Sequence, residues 1–157
     1  MVFIPWPAPP PVRLPVPLNP SPRVNSIRRP HPHFDDRGTL DWHTRWSEAL
    51  AAASAQSKLV FVEFGREACS NCRALVSGVV PHEKIAPLLQ QNFVALASDC
   101  DEPEDEVLAL AEQLPDAGML PFVLFADAQG KFQGGSEGAQ SAASFLGQVE
   151  RLLAQRR

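Results

Sequence analysis

The sequence has few cysteines, no long apolar run and no excess of positive charge. Only three of its 157 residues are cysteine, which is too few for the disulfide framework of a small secreted domain. No apolar run approaches the roughly 18 residues that a bilayer span requires, so we expect no membrane insertion. The net charge of −4 argues against general nucleic-acid binding, which depends on many lysines and arginines.

Proline is scarce over most of the chain and concentrated near its beginning. Eleven of the 16 prolines lie between Pro5 and Pro32. Such a segment builds no packed core, because proline lacks a backbone donor and has a fixed φ angle. We therefore predict an extended or disordered Pro-rich arm over residues 1–35 and one globular domain over residues 36–157.

The arm gives little indication of compartment or function. The first residues lack a basic region, and prolines interrupt their apolar stretch, so they do not form a good signal peptide. The compartment therefore stays open, and we expect a soluble protein that is either cytoplasmic or, if the true start lies elsewhere, extracytoplasmic. His31 and His33, together with Phe34, could bind a metal weakly, although a linker is the simpler interpretation.

Apolar spacing in the remaining residues predicts alternating helices and strands. The run 58–64 is short, β-branched and almost continuously apolar, as is typical of a strand buried on both faces of a parallel sheet. The full predicted order is a helix over 44–57, that strand, helices over 68–77 and 85–91, a strand over 93–97, a helix over 101–114, a strand over 121–125 with a hairpin partner over 131–134, and a C-terminal amphipathic helix. This order indicates an α/β fold with a mixed sheet covered by helices.

Cys69 and Cys72 flank the dipeptide Ser70-Asn71 immediately after the buried strand. Two cysteines one helical turn apart can form a disulfide. At a helix start the first thiolate is stabilised by free backbone N–H groups, and the thiolate is the species that attacks a disulfide. We therefore predict that Cys69 is the nucleophile and Cys72 the resolving cysteine. The alternative is metal binding through this pair with Cys100 or His82, although no second CxxC is present.

These features resemble the thioredoxin superfamily, and more narrowly the thioredoxin-like domains of the DsbD C-terminal type and related stand-alone bacterial domains. The similar stretch runs from Asp41-Trp42 to the C-terminus. Three segments carry it, namely residues 58–64 leading into the CxxC, Asn92-Phe93-Val94 followed by Ser98-Asp99, and residues 120–125. The resemblance implies a thioredoxin-like three-layer sandwich with a mixed central β-sheet flanked by helices.

The resemblance also implies roles for three more residues. Glu63 lies six residues before Cys69, where the family often has a buried acid that deprotonates the resolving cysteine. A glutamate facing solvent or pairing with Lys58 is the alternative. Pro121 corresponds to the cis-proline of the family, and the backbone of Leu120 would then pair with an extended substrate.

The sequence thus favours a thiol–disulfide oxidoreductase that acts on protein disulfides or dithiols and needs a redox partner protein, but no metal or organic cofactor. We expect a monomer. The alternative is a non-enzymatic thioredoxin-like peptide-binding or chaperone module. Ala68 replaces the aromatic residue that often precedes the first cysteine, and Ser70-Asn71 contains no histidine. The reduction potential therefore does not follow from the sequence.

Overall fold

The computed structural model describes residues 2–11 and 28–156, and helices and strands alternate there as predicted. Their order is β1 (Trp42–His43), α1 (Trp46–Gln56), β2 (Leu59–Gly65), α2 (Ser70–Ala74), a π-helical turn (Leu75–Val79), α3 (Ala86–Asn92), β3 (Phe93–Asp99), α4 (Asp105–Ala111), β4 (Phe122–Ala126), β5 (Phe132–Glu137) and α5 (Ala142–Gln155). Among these helices, none is both long and apolar enough to cross a membrane.

The five strands form one mixed sheet with the order β1-β3-β2-β4-β5. Strands β1, β3 and β2 are parallel, whereas β4 runs antiparallel to β2 and β5 antiparallel to β4. All seven residues of β2 are buried, which explains why its sequence is almost continuously apolar. The predicted mixed sheet covered by helices is therefore confirmed.

The two faces of the sheet pack against different helices. Side chains alternate along β2, so Phe61 lies in one apolar cluster and Val60 and Val62 in the other. Helices α2, α3 and α5 cover the Phe61 face, and α1 and α4 cover the opposite face. Glu63 lies two residues after Phe61 and therefore on the same face of the strand. This places the Glu63 carboxylate on the face of the sheet that α2 covers.

Two details differ from the sequence prediction. The helix at the CxxC is α-helical only over Ser70–Ala74 and continues as the π-helical turn Leu75–Val79. Strand β1 was not predicted, because two residues are too few to show a period. It pairs with β3 in parallel through Trp42 and Ala95, and it buries Trp42 almost completely.

The last residues of the predicted arm pack against the domain. His31 and Phe34 are each 6% exposed, and the Arg29 carbonyl accepts a hydrogen bond from the Trp42 N–H at 3.0 Å. The interpretation of His31 as a linker residue is therefore wrong, and the packed structure begins before residue 36. Residues 2–11 are exposed and contain no helix or strand, and residues 12–27 of the predicted arm lie outside the described residues.

Candidate active site

Cys69 and Cys72 lie at the start of α2, as predicted, and a disulfide joins them. Cys69 is the N-cap residue, with an extended backbone, and its Cα lies 5.2 Å from that of Cys72. Cys69 is partly exposed, whereas Cys72 is fully buried in the apolar cluster that contains Phe61. A partner sulfur can therefore approach the first cysteine but not the second.

The start of α2 directs one backbone donor at the Cys69 sulfur. The Cys72 N–H donates a hydrogen bond to Cys69 Sγ at 3.1 Å. In the reduced protein the same N–H would donate to a thiolate, and a hydrogen bond to a charged acceptor is stronger than one to a neutral acceptor. Such a hydrogen bond would favour a thiolate over a thiol at this position.

Glu63 is buried on the same side of the sheet as Cys72. It is 2% exposed, and its Oε2 lies 2.9 Å from His31 Nε2. Its other oxygen, Oε1, is buried without a hydrogen-bond partner among the described residues. Lys58 does not pair with it, because the Lys58 ammonium donates to the Gln90 carbonyl at 2.9 Å. The site therefore contains a buried carboxylate oxygen that is free to accept a proton.

Gly65 lies beside both Glu63 and Cys72, and the space around its Cα indicates how close these two side chains are. A Cβ atom placed at Gly65 would lie within 2.5 Å of both Glu63 Oε1 and Cys72 Sγ. Because both atoms lie that close to the same point, Glu63 Oε1 and Cys72 Sγ are at most twice that distance apart. The unpartnered oxygen of Glu63 and the buried sulfur of Cys72 are thus neighbours.

The carboxylate also borders a cavity of about 220 Å³. Polar side chains of β3 and of the loop after it line this cavity, together with Glu63 and Gly65. They are Ser98, Asp99, Glu102 and Glu104. A cavity of this size and polarity can admit water.

The loop before β4 lies beside the CxxC. The peptide bond between Leu120 and Pro121 is cis, and the Leu120 carbonyl accepts a hydrogen bond from Asn71 Nδ2 at 3.3 Å. The Glu137 carboxylate, on β5, accepts hydrogen bonds from the backbone N–H groups of Met119, at 3.0 Å, and Gly118. These bonds hold the pKa of Glu137 below its ordinary value. The loop backbone is thus held beside the pair of cysteines.

Cys100 directly follows β3 and forms no disulfide. It is partly exposed at the end of β3, and burial raises the pKa of its thiol. Its N–H donates to the Gly65 carbonyl at 2.8 Å. Within the described residues, the one group of three potential metal ligands is Asp99, Cys100 and Asp101, which includes neither cysteine of the pair.

The structure therefore brings Cys69, Cys72, Glu63, Leu120 and Pro121 to one end of the sheet. Sequence reasoning had not assigned the partner of Glu63 or the close approach at Gly65. A glycine directly after a buried strand is a weak signal of such an approach. The histidine next to Glu63 comes from a proline-rich segment without periodicity, so the sequence contains no signal for that contact.

Comparison with known proteins gives the same fold. A family model described as thioredoxin-like matches residues 41–128. The thiol:disulfide interchange protein DsbD of Pseudoalteromonas atlantica is 30% identical over 125 residues, which is 78% of this chain but 20% of that protein. The chain thus spans about a fifth of this curated relative.

Solved structures extend the comparison. A thioredoxin from Thermus thermophilus superposes with a TM-score of 0.60 at 27% identity, covering 74% of this chain and 89% of the other. A disulphide-isomerase homologue from Bacteroides thetaiotaomicron superposes with a TM-score of 0.59 at 24% identity, covering 73% and 91%; at that identity it supports the fold alone. With the matched family model and the CxxC at the start of α2, the chain belongs to the thioredoxin-like family.

Proposed function

We propose that the protein is a thiol–disulfide oxidoreductase that exchanges the Cys69–Cys72 disulfide with cysteines of partner proteins. The observation that supports this most strongly is the asymmetry of the pair. Cys69 is accessible and receives a backbone hydrogen bond, while Cys72 is buried beside an unpartnered carboxylate oxygen. An attacking and a resolving cysteine require these two different environments.

The reductive reaction has two exchange steps. The Cys69 thiolate attacks one sulfur of a substrate disulfide and forms a mixed disulfide, and the other substrate sulfur leaves as a thiolate that takes a proton from water. Cys72 then transfers its proton to Glu63 Oε1, and its thiolate attacks the Cys69 sulfur. The Cys69–Cys72 disulfide forms, the second substrate thiolate leaves, and the proton on Glu63 passes to solvent. The protein loses two electrons and the substrate gains them.

A dithiol partner protein restores the reduced pair by the reverse sequence. The direction of electron flow in the cell depends on the reduction potential of the Cys69–Cys72 pair relative to that of its partner proteins. Among related proteins this potential spans about −270 to −120 mV. Equilibration with glutathione measures this potential. A value near the thioredoxin end would assign a reductase, and one near the other end a disulfide donor.

We further propose that the loop before β4 binds the substrate backbone. Leu120 and Pro121 lie next to Asn71 of the CxxC, and the neighbouring Met119 is 58% exposed. An extended segment of a partner could pair with this backbone and present its sulfur to Cys69. The Asn71 amide holds the Leu120 carbonyl in the oxidised protein and would yield to a substrate N–H.

Reduction of insulin disulfides by dithiothreitol tests the function. Wild-type protein should accelerate the reaction, and Cys69→Ser should abolish the acceleration because no attacking thiol remains. Cys100→Ser is the control and should retain it, since Cys100 lies outside the pair. Full activity in Cys69→Ser would refute the assignment. A lack of dithiol cycling, with peptide binding unaffected by Cys72→Ser, would instead favour a peptide-binding or chaperone module.

A further inference from the structure

The contact between His31 and Glu63 has a consequence for the resolving step. We propose that His31 is a positioning residue, which orients the Glu63 carboxyl so that its proton is carried on Oε1, the oxygen beside Cys72. This inference rests on the proposed function. It assigns a role in the resolving step to a residue of the predicted Pro-rich arm.

The hydrogen bonds of His31 fix the protonation of its ring. Its Nδ1 accepts hydrogen bonds from the backbone N–H groups of His33, at 3.1 Å, and Phe34, at 3.2 Å. A nitrogen that accepts two such bonds carries no proton, so the proton of the neutral ring is on Nε2. Nε2 therefore donates to Glu63 Oε2, which lies 2.9 Å away.

This arrangement leaves one place for a proton on Glu63. Oε2 already accepts the hydrogen bond from His31, and a proton on Oε2 would point at the N–H of the ring. The oxygen that would receive a proton from Cys72 is therefore Oε1, which is buried and has no partner among the described residues. Since Oε1 is also the oxygen near Cys72 Sγ, the orientation set by His31 aims the basic atom at the thiol.

Aromatic contacts keep the imidazole in this orientation. The His31 ring stacks on Phe34 at 5.2 Å between centroids and lies nearly perpendicular to the Trp42 ring, with 4.7 Å between those centroids. Its side chain is 1% exposed. A ring packed in this way cannot rotate without displacing its neighbours, so the donor remains directed at Glu63.

Other ionisable groups around His31 and Glu63 do not replace His31 as the hydrogen-bond donor to Glu63 Oε2. Apart from His31 and Glu63, the titratable side chains that line the adjacent cavity are His33, Asp99, Glu102 and Glu104. Three of these are acids, and His33 lies beside Glu67 at 3.9 Å. The hydrogen bond to Glu63 Oε2 therefore comes from His31.

The resolving step can be observed separately with the aromatic disulfide 5,5′-dithiobis(2-nitrobenzoate). Attack by Cys69 on this reagent releases one coloured thiolate, and resolution by Cys72 releases the second. A Cys100→Ser background of the full chain removes the third thiol. Stopped-flow absorbance then gives one rate for each step at each pH.

Two substitutions of His31 separate its structural role from its positioning role. His31→Asn retains an acceptor for the backbone N–H groups of His33 and Phe34 but removes the donor to Glu63. His31→Gln retains a donor that can reach Glu63. We expect the second phase to slow about tenfold at pH 7 in the Asn variant, because the Glu63 carboxyl is no longer held with Oε1 towards Cys72 and a misplaced reacting group lowers the rate. The Gln variant should stay close to the wild-type rate, and the first phase should be unchanged in both.

His82→Gln is the matched control, because His82 Nδ1 accepts the Lys84 N–H at 3.2 Å in a similar turn but lies at the surface. It should leave both phases unchanged. The effect of His31→Asn should also disappear in a Glu63→Gln background, since both residues act through the same oxygen.

Distinct results would overturn the two proposals. A second phase that is as fast in His31→Asn as in the wild type, or as slow in His31→Gln as in His31→Asn, would refute the role of His31 alone. Effects of His31→Asn and Glu63→Gln that multiply in the double variant would do the same. A wild-type protein with no second phase would instead refute the proposed function. Far-ultraviolet circular dichroism establishes that each variant is folded.

Discussion

At the scale of single residues, the site depends on one position where a side chain is excluded. Gly65 ends β2, and its backbone is not in the left-handed region, so space rather than conformation requires glycine there. Even one methyl group would meet both the carboxylate oxygen of Glu63 and the sulfur of Cys72. The close approach of the acid to the resolving thiol is possible only because this position has no side chain.

We therefore expect Gly65→Ala to destabilise the oxidised protein by about 1–3 kcal/mol, as overpacking of a dense core does. The added methyl should also push Glu63 away from Cys72 and slow resolution. Urea denaturation of the oxidised protein measures the free energy of unfolding. Gly78→Ala is the control, because a Cβ there meets nothing within 4 Å. Equal stability of Gly65→Ala and the wild type would show that the core has room at this position.

At the scale of elements, β5 holds the loop that precedes β4. Glu137 lies at the end of β5, and its carboxylate accepts the N–H groups of Met119 and Gly118. These two donors favour the charged form and hold the pKa of Glu137 below its ordinary value of 4.5. A hairpin strand thus stabilises the backbone conformation of the loop through one ionised side chain.

The direction of this shift predicts a pH dependence of stability. Because the folded-state pKa is lowered, the contribution of Glu137 is fully present above pH 4.5 and is lost as the pH falls through the folded-state value. The urea midpoint of the wild type should therefore fall more steeply below pH 4.5 than that of Glu137→Gln. Glu150→Gln, on the exposed side of α5, should keep the wild-type steepness. Identical profiles for wild type and Glu137→Gln would contradict the loop contacts.

At the scale of the whole molecule, residues 28–36 pack against the domain, and His31 among them contacts a residue of the candidate site. Asp36 is 3% exposed, and its Oδ2 accepts hydrogen bonds from Trp42 Nε1 and the Leu40 N–H, each at 2.9 Å. Phe34 joins the apolar cluster on the Cys72 face of the sheet. The segment thus contributes a buried aromatic ring, a buried carboxylate and the donor to Glu63.

Two phenylalanines of the predicted arm should consequently behave differently. Phe34→Ala should lower the free energy of unfolding by about 3 kcal/mol, because it leaves a cavity in the core. Phe3→Ala should change it by less than about 0.5 kcal/mol, since Phe3 is 91% exposed. Chemical denaturation followed by tryptophan fluorescence measures both. Equal effects would mean that residues near Phe34 do not pack in solution.

The sequence by itself determined the order of the elements from α1 to α5, the buried strand β2 and the cysteine pair at the start of α2. Those features depend on local spacing: apolar periodicity, turn residues and two cysteines one helical turn apart. The contacts of Glu63 were decided only by the tertiary structure. His31 approaches it from 32 residues away in a proline-rich segment, and the approach to Cys72 depends on a helix packed over the end of a strand. Such contacts leave no periodic trace in the sequence, because they join segments whose separation along the chain is arbitrary.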